Sequence, residues 1–430
     1  MLKSAYRVIQ STVIKDCILP LFFSKERSQA AHREIQADEP EFVSHFLQGQ
    51  KGVLRVWFHA ASVGELESLW PVVIATAEKD AEIILTVFSE SAWSSVERLK
   101  QALLNYQCRV VYVGYSPWEG KWKEALERMA PTLFITAKYE AWPDLWLSLE
   151  ELRIPLAIVS ARARKSLRIA KWVCERIGGK LPQLYLFACL ESDVPPLKDL
   201  FPKASIQVVG EPRWDRAFAR SEQGSHRAQE LMNTYRKLKR PWGVMGSAWL
   251  EDLEFLDSAL KKMPGSLWVV PHQVDSQSIR KIEKFLISRG LRPLRTTEPG
   301  LESSEELNGR EPPCLLVNEM GFLSELYAQA DWVYVGGGFG DGIHSTIEPA
   351  IQGVPIAVGP RGTQKFSEVQ ALTQTGQLRI LARSCQVDEW LKTLFSVCSD
   401  NKHDWKQQAK DRLGATQKIL ETIEKIGRAC

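Results

Sequence analysis

Short apolar runs, each followed by a stretch of helical spacing, recur along this chain. Residues 53–58, 83–88, 110–113, 132–136, 156–159, 184–187 and 206–209 read as strands, with helices at 67–78 and 91–106 between the first of them. A second series has strands at 242–245, 267–270, 315–317, 332–335 and 354–358, and helices near 251–263, 276–289, 322–330 and 366–374. Such alternation predicts an α/β fold of parallel sheets covered on both faces. Two Rossmann-like doubly wound domains are expected, over 37–212 and 241–404, facing a cleft in which ligands sit. Residues 213–240 carry few strand signals and read as the inter-domain connection. The segment 405–430 has apolar positions at helical spacing and is expected to pack back toward the first domain, while 300–313 is polar and acidic and reads as a surface loop.

The first 36 residues break this rhythm. Lys3, Arg7, Lys15 and Asp16 are spread among apolar positions, and the longest apolar run, 17–23, is far shorter than the roughly 20 residues needed to span a bilayer. With Lys25, Arg27 and Arg33 following, the segment reads either as an interfacial helix lying on anionic lipid or as a helix that docks 19–23 on its own domain. No small-residue cleavage site follows it.

Composition narrows the function classes. The 430 residues are 44% hydrophobic and 25% charged, as in globular proteins, and a net charge of +3 gives no case for nucleic acid. Eight cysteines without C-x-x-C pairs or histidines at zinc spacing argue against metal and disulfide frameworks, leaving a reducing cytoplasm as the default.

Candidate chemistry clusters where strands end. Residues 333–360 join a strand, a glycine-rich turn, a polar helix start and a second strand. Gly336, Gly337, Gly338 and Gly340 permit either tight packing or close approach to a ligand. His344, Ser345 and Thr346 offer donors and an N-cap to a helix holding Glu348, whose free N–H groups suit an anion. The spacing is neither G-x-G-x-x-G nor a P-loop. Upstream, Ser62, Gly64 and Glu65 turn from strand to helix; Glu65 is placed as a general base, or simply favours the helix N-terminus. Lys138, Glu140 and Asp144 lie among tryptophans after the fourth strand. Arg162 can hold a carboxylate or phosphate bidentately or be solvated, and Arg213 adds a guanidinium near the domain junction. Ser247 follows a strand and opens a helix, His272 is a ligand contact or a structural histidine, and Lys365 can neutralise negative charge.

Taken in order, His59-Ala-Ala-Ser-Val-Gly-Glu65, Lys138-Tyr-Glu-Ala-Trp-Pro-Asp144, Val159-Ser-Ala-Arg162, Gly210-Glu-Pro-Arg-Trp-Asp215, Gly246-Ser-Ala-Trp249, Pro271-His272 and the 333–360 block resemble the Kdo transferases of Gram-negative bacteria. The resemblance implies a metal-independent GT-B glycosyltransferase, without cofactor, that moves 3-deoxy-D-manno-octulosonate (Kdo) from CMP-Kdo to a lipid A precursor. It would work at the cytoplasmic face of the inner membrane, against an anionic membrane surface. Glu65 then matches the base that deprotonates the acceptor hydroxyl and Glu140 a second acidic residue beside it, with Ser62, Gly64 and Lys138 on the acceptor side. Ser247, His272, Gly337, Gly338, His344, Ser345 and Glu348 match the CMP-sugar side, Glu348 as acceptor for ribose hydroxyls; Arg162, Arg213 and Lys365 would meet donor charge. The chain departs from the family at Thr86-Val-Phe-Ser-Glu-Ser-Ala-Trp93 and at Gly342-Ile-His-Ser-Thr-Ile-Glu348, where the usual Gly-His-Asn-x-x-Glu is altered. A GT-B enzyme using another nucleotide sugar, such as a UDP-sugar, or a non-catalytic nucleotide-sugar-binding module are the competing readings.

Overall fold

The computed structural model describes residues 53–297 and 313–429, apart from positions 107, 118–120, 139, 237, 261 and 264. The amphipathic segment expected at 1–36 and the acidic loop expected at 300–313 therefore fall wholly or almost wholly outside the described residues. Two compact units are present: residues 1–215 with 413–430, and residues 216–412.

The first unit holds a seven-stranded parallel sheet: β1 (Arg55–Ala60), β2 (Glu82–Val87), β3 (Arg109–Tyr115), β4 (Leu133–Ala137), β5 (Leu156–Ala161), β6 (Leu184–Ala188) and β7 (Ser205–Val208). Their spatial order is β3-β2-β1-β4-β5-β6-β7, so the chain reverses direction across the sheet between β1 and β4. Both faces of the central strands are buried, which is why each reads as a continuous apolar run. In β1, Val56, Phe58 and Ala60 face one core, where α1 (Val63–Ala77) adds Leu66, Leu69 and Val73 and α16 (Ala415–Ala429) adds Ile419, Ile423 and Ile426. Trp57 points the other way, into a second core with Phe134, Trp122 and Trp146. That core receives α3 (Trp122–Met129), α4 (Pro143–Glu151), α5 (Lys165–Arg176) and α6 (Val194–Leu200), and α2 (Trp93–Leu103) covers the first.

The second unit repeats the plan with β8 (Trp242–Ala248), β9 (Ser266–Pro271), β10 (Arg292–Arg295), β11 (Pro313–Leu316), β12 (Trp332–Val335), β13 (Ile356–Val358) and β14 (Leu378–Ile380), in the order β10-β11-β9-β8-β12-β13-β14. Here the reversal falls between β8 and β12, which pair in parallel from Trp332↔Gly243 to Val335↔Gly246. Gly243 is required there, because a Cβ would sit 1.9 Å from the Trp332 indole.

The stretch read as a connection is helical: α7 (Arg213–Gln223) and α8 (His226–Tyr235) occupy it. The helix read at 251–263 is two pieces, α9 (Leu250–Phe255) and α10 (Asp257–Leu260). Further on come α11 (Ser276–Ser288), α12 (Leu323–Gln329), α13 (Ile347–Ile351), α14 (Ser367–Gln374) and α15 (Ser384–Lys410). The segment read at 405–430 is divided between α15 and α16, with Gly414 at φ +98° in the break. Among the described residues no helix is long and apolar enough to cross a membrane.

Candidate active site

In open α/β sheets a ligand crevice forms at the carboxyl ends of the strands, where the strand order reverses. Ser62, Gly64, Glu65, Lys138 and Glu140 lie at that point of the first sheet, and Ser247, Gly337, Gly338 and His344 at that of the second.

In the first unit, Glu65 lies in the first turn of α1, just beyond β1. Its side chain is 3% exposed and folds back so that Oε2 accepts from the backbone N–H of Ala61 at 2.7 Å and of Ser62 at 3.0 Å. A carboxylate reaching back over the turn explains why Glu suits this position. Next door, beyond β4, Lys138 adopts φ +63° and donates from Nζ to the carbonyl of Gly64 at 2.7 Å. Glu140 completes the group: Trp142 Nε1 donates to its Oε2 at 2.8 Å, and its carboxyl hydrogen-bonds with Glu65. Trp142 in turn packs on Phe88 with ring centroids 5.3 Å apart.

Two carboxyls this close and this dry cannot both be charged at little cost. Burial first, then the Glu65 charge, pushes Glu140 up to about 8. Burial also raises Glu65, opposed by the Lys138 ammonium and by the amides of Ala61 and Ser62. Lys138 and two backbone amides face Glu65 while Trp142 donates to Glu140, so the shared proton favours Glu140 and the negative charge favours Glu65.

Arg162 and Arg213 belong to the same unit, beyond β5 and β7. Arg162 Nε donates to Asp193 Oδ1 at 2.9 Å, and Arg213 Nε lies 3.3 Å from Glu211 Oε1. Sequence reading passed over Glu211. Burial would raise this buried carboxyl, yet Arg213 and Lys138 outweigh burial and hold it below the ordinary range. Glu211 thus supplies a fixed negative charge on which both Arg213 and Lys138 act.

In the second unit Ser247 sits at φ +51°, in an irregularity of β8 between Gly246 and Ala248. Beyond it, Trp249 stacks on His272 at 4.8 Å, and His272 stacks on His344 at 4.3 Å. Trp249 Nε1 reaches His344 Nε2 at 3.4 Å. Burial, followed by the neighbouring His272, drives His344 down to about 4, and burial lowers His272, so both rings are neutral near pH 7. They offer flat, uncharged surfaces that suit a base or sugar rather than a phosphate.

Of the two readings open for the glycine loop, tight packing accounts for its geometry. The N–H groups of Gly337, Gly340, Gly342, Ile343 and His344 are committed to Asp252, to Gly337, to Gly337 again, to Arg361 and to Gly336, respectively. They are not free for an anion. The glycines answer to packing: a Cβ on Gly337 would meet the Gly342 carbonyl at 2.2 Å and one on Gly338 would meet Gly359 Cα at 2.4 Å. Nor is there a long helix start, since α13 has five residues. Ser345 Oγ instead donates to Glu348 Oε2 at 2.5 Å. Asp252, fully buried, fixes this loop by accepting from Trp249 N, Gly337 N and Tyr334 Oη. Its only sequence signal was an acidic residue in the first turn after β8.

Around Glu348 lie two further residues that sequence reading left out. Its charge acts on the Arg216 guanidinium, which burial and then Arg220 lower to about 9, and on the fully buried Tyr327 hydroxyl, which burial raises. Lys365 is exposed on the turn Thr363–Lys365 after β13 and takes no part in these contacts.

The chain is similar to known proteins over most of its length. Residues 25–216 match a family model described as 3-Deoxy-D-manno-octulosonic-acid transferase (kdotransferase). A 3-deoxy-D-manno-octulosonic acid transferase of Bordetella pertussis is 26% identical over 386 residues, 86% of either chain. One of Aquifex aeolicus is 27% identical over 337 residues, 76% of this chain and 82% of its own. The UDP-GlcNAc 2-epimerase of Neisseria meningitidis, 14% identical, superposes with a TM-score of 0.57 over 86% of this chain and 100% of its own, and so shares the two-unit α/β fold of GT-B type. Both the motif blocks and the alignments lead to one conclusion: the chain is a relative of the Kdo transferases.

Proposed function

We propose that this chain is a Kdo transferase that takes the sugar from CMP-Kdo and places it on a hydroxyl of a lipid A precursor, at the cytoplasmic face of the inner membrane. The observation that carries the reading is the Glu65–Glu140 pair at the reversal point of the first sheet. Glu65, ionised and held by two backbone amides, accepts the proton of the attacking hydroxyl. Glu140, protonated, keeps a second negative charge away from the base while that proton moves. Lys138 and Glu211 hold the local charge fixed. In the second unit, the His272–His344 stack and the Ser345–Glu348 pair support a nucleotide site, with Glu348 receiving ribose hydroxyls.

The test is to incubate the purified protein with CMP-Kdo and tetraacylated lipid A precursor and weigh the products by mass spectrometry. A mass gain of one or more Kdo units is expected. Glu65→Gln should lower turnover by roughly 10²–10⁴-fold while keeping the rise in melting temperature produced by CMP. Stabilisation by UDP and not CMP, or near-normal turnover by Glu65→Gln, would overturn the reading.

A further inference from the structure

The segment that leaves β2, Thr86-Val-Phe-Ser-Glu-Ser-Ala-Trp93, departs from the family pattern, and the proposed reaction gives it no part. Its residues tie down the carboxyl end of the first sheet. Thr86 Oγ1 accepts from Trp57 Nε1 at 2.8 Å and lies 3.0 Å from His59 Nδ1, which holds the end of β1 from the core side. Past Val87 the backbone keeps following β1 beyond its last residue. Phe88 N donates to the Ala60 carbonyl at 3.2 Å, and Ser89 N to the Ala61 carbonyl at 3.1 Å. Ala61 is also the residue whose own N–H donates to Glu65 Oε2 at 2.7 Å. The turn that holds Glu65 is thus pinned by the backbone of Phe88 and Ser89.

The Phe88 side chain goes to the other carboxyl. It is half-buried, outside both core clusters of the sheet, and packs on Trp142 with ring centroids 5.3 Å apart and planes 40° from parallel. Trp142 stands immediately before Pro143, in the extended backbone that this position imposes, at φ −107° and ψ 114°. With its backbone so restricted, ring packing decides where the indole N–H points, and it points at Glu140 Oε2, 2.8 Å away. We infer that Phe88 is a positioning residue for the carboxyl pair: its backbone fixes the turn that holds Glu65, and its ring fixes the Trp142 N–H that holds Glu140. The inference rests on the proposed reaction, in which Glu65 takes the acceptor proton while Glu140 stays protonated beside it.

The chemistry follows from which oxygen is occupied. A donor on Oε2 makes that oxygen an acceptor, so the Glu140 proton is directed to Oε1. The same N–H favours the ionised form of Glu140, whereas burial and the Glu65 charge oppose it. The charged groups acting around the pair are Glu65 of α1, Lys138 after β4 and Glu211 beyond β7, on which Lys138 also acts. Phe88 carries no charge, so its removal acts on the pair through geometry alone. Without the ring, Trp142 can turn away, its N–H leaves Glu140, and the proton is held to higher pH.

Two measurements on the full chain test it. Nuclear magnetic resonance of isotope-labelled protein follows the Trp142 Nε1–H signal, assigned by its loss in Trp142→Phe, and in wild type that signal should titrate with Glu140 near pH 8. In Phe88→Ala it should titrate at a pH higher by up to roughly one unit. Phe88→Leu, which keeps apolar volume without a ring face, should move it the same way, and Phe88→Tyr should restore the wild-type value. The alkaline limb of kcat/KM, measured with CMP-Kdo and a lipid A precursor, should move with it. A wild-type Trp142 signal that ignores pH overturns the inference without any Phe88 variant having to fold. So does a Phe88→Ala or Phe88→Leu protein that keeps the wild-type titration, or that loses kcat/KM alike at every pH with its limb unmoved, since lost packing alone would do that. An inactive wild type whose indole titration still depends on Phe88 overturns the proposed reaction and leaves the positioning of Glu140 standing.

Discussion

In the proposed reaction, a single proton shared by Glu65 and Glu140 governs the chemistry at the residue scale. As the proposed base, Glu65 must be ionised, so activity should fall on the acid side as pH drops through its raised value. Above about 8, Glu140 ionises next to it, and two adjacent negative charges replace one. A bell-shaped pH profile with its alkaline limb near 8 is therefore expected. Glu140→Gln, whose amide can still donate to Glu65, should remove that limb and extend activity upward, as read from kcat/KM against pH. Stability follows the same sign. The Glu140 carboxyl has a folded value raised from 4.5 to about 8, so its favourable contribution is complete below 4.5 and is lost as pH rises through 8. Relative to wild type, Glu140→Gln should melt higher at pH 9 than at pH 4.5. Sequence made both carboxylates legible because each sits one short turn past an apolar strand. What it could not show was Glu211, whose partners Arg213 and Lys138 include one 73 positions away, brought near only by sheet order.

Among elements, the sequence disclosed every strand of the first sheet and the inner strands of the second. β1, β4, β8 and β12 are covered on both faces, and burial of that kind leaves a continuous apolar run. The edge strands β10, Arg-Pro-Leu-Arg, and β14, Leu-Arg-Ile, carry no such run, because an edge has one side open to water and is blunted by charge. In the glycine loop the sequence left packing and ligand approach both open; the atoms that a Cβ would meet at Gly338 and Gly337 belong to Gly359 and Gly342, and the first of these partners comes from another strand end. Gly338→Ala should accordingly cost about 1–3 kcal/mol through overpacking against backbone that cannot yield. Gly340→Ala, whose Cβ would find its nearest neighbour at 3.9 Å, should be close to neutral. Chemical denaturation of the two variants side by side distinguishes packing from ligand approach.

At the scale of the whole molecule, the chain leaves the first unit after Asp215 and returns at Leu413. The return is secured at one side chain, since Asp215 accepts from Gly414 N and Thr416 N, both at 2.7 Å. α16 then lays Ile419, Ile423 and Ile426 against the core of β1 and α1. Ile423→Ala, at a fully buried position, should destabilise the first unit by roughly 2–5 kcal/mol, measured as a lower denaturant midpoint of that unit's unfolding. Its effect on the second unit should be small, because Ile423 belongs to the core cluster of the first unit. This arrangement also imposes an order on biosynthesis. Asp215 and Thr416 are separated by 201 residues, which a ribosome takes roughly 10–40 s to add. During that interval the second unit can close on its own residues while the sheet begun first still presents a bare isoleucine-binding face, so the unit made first is the last to be finished.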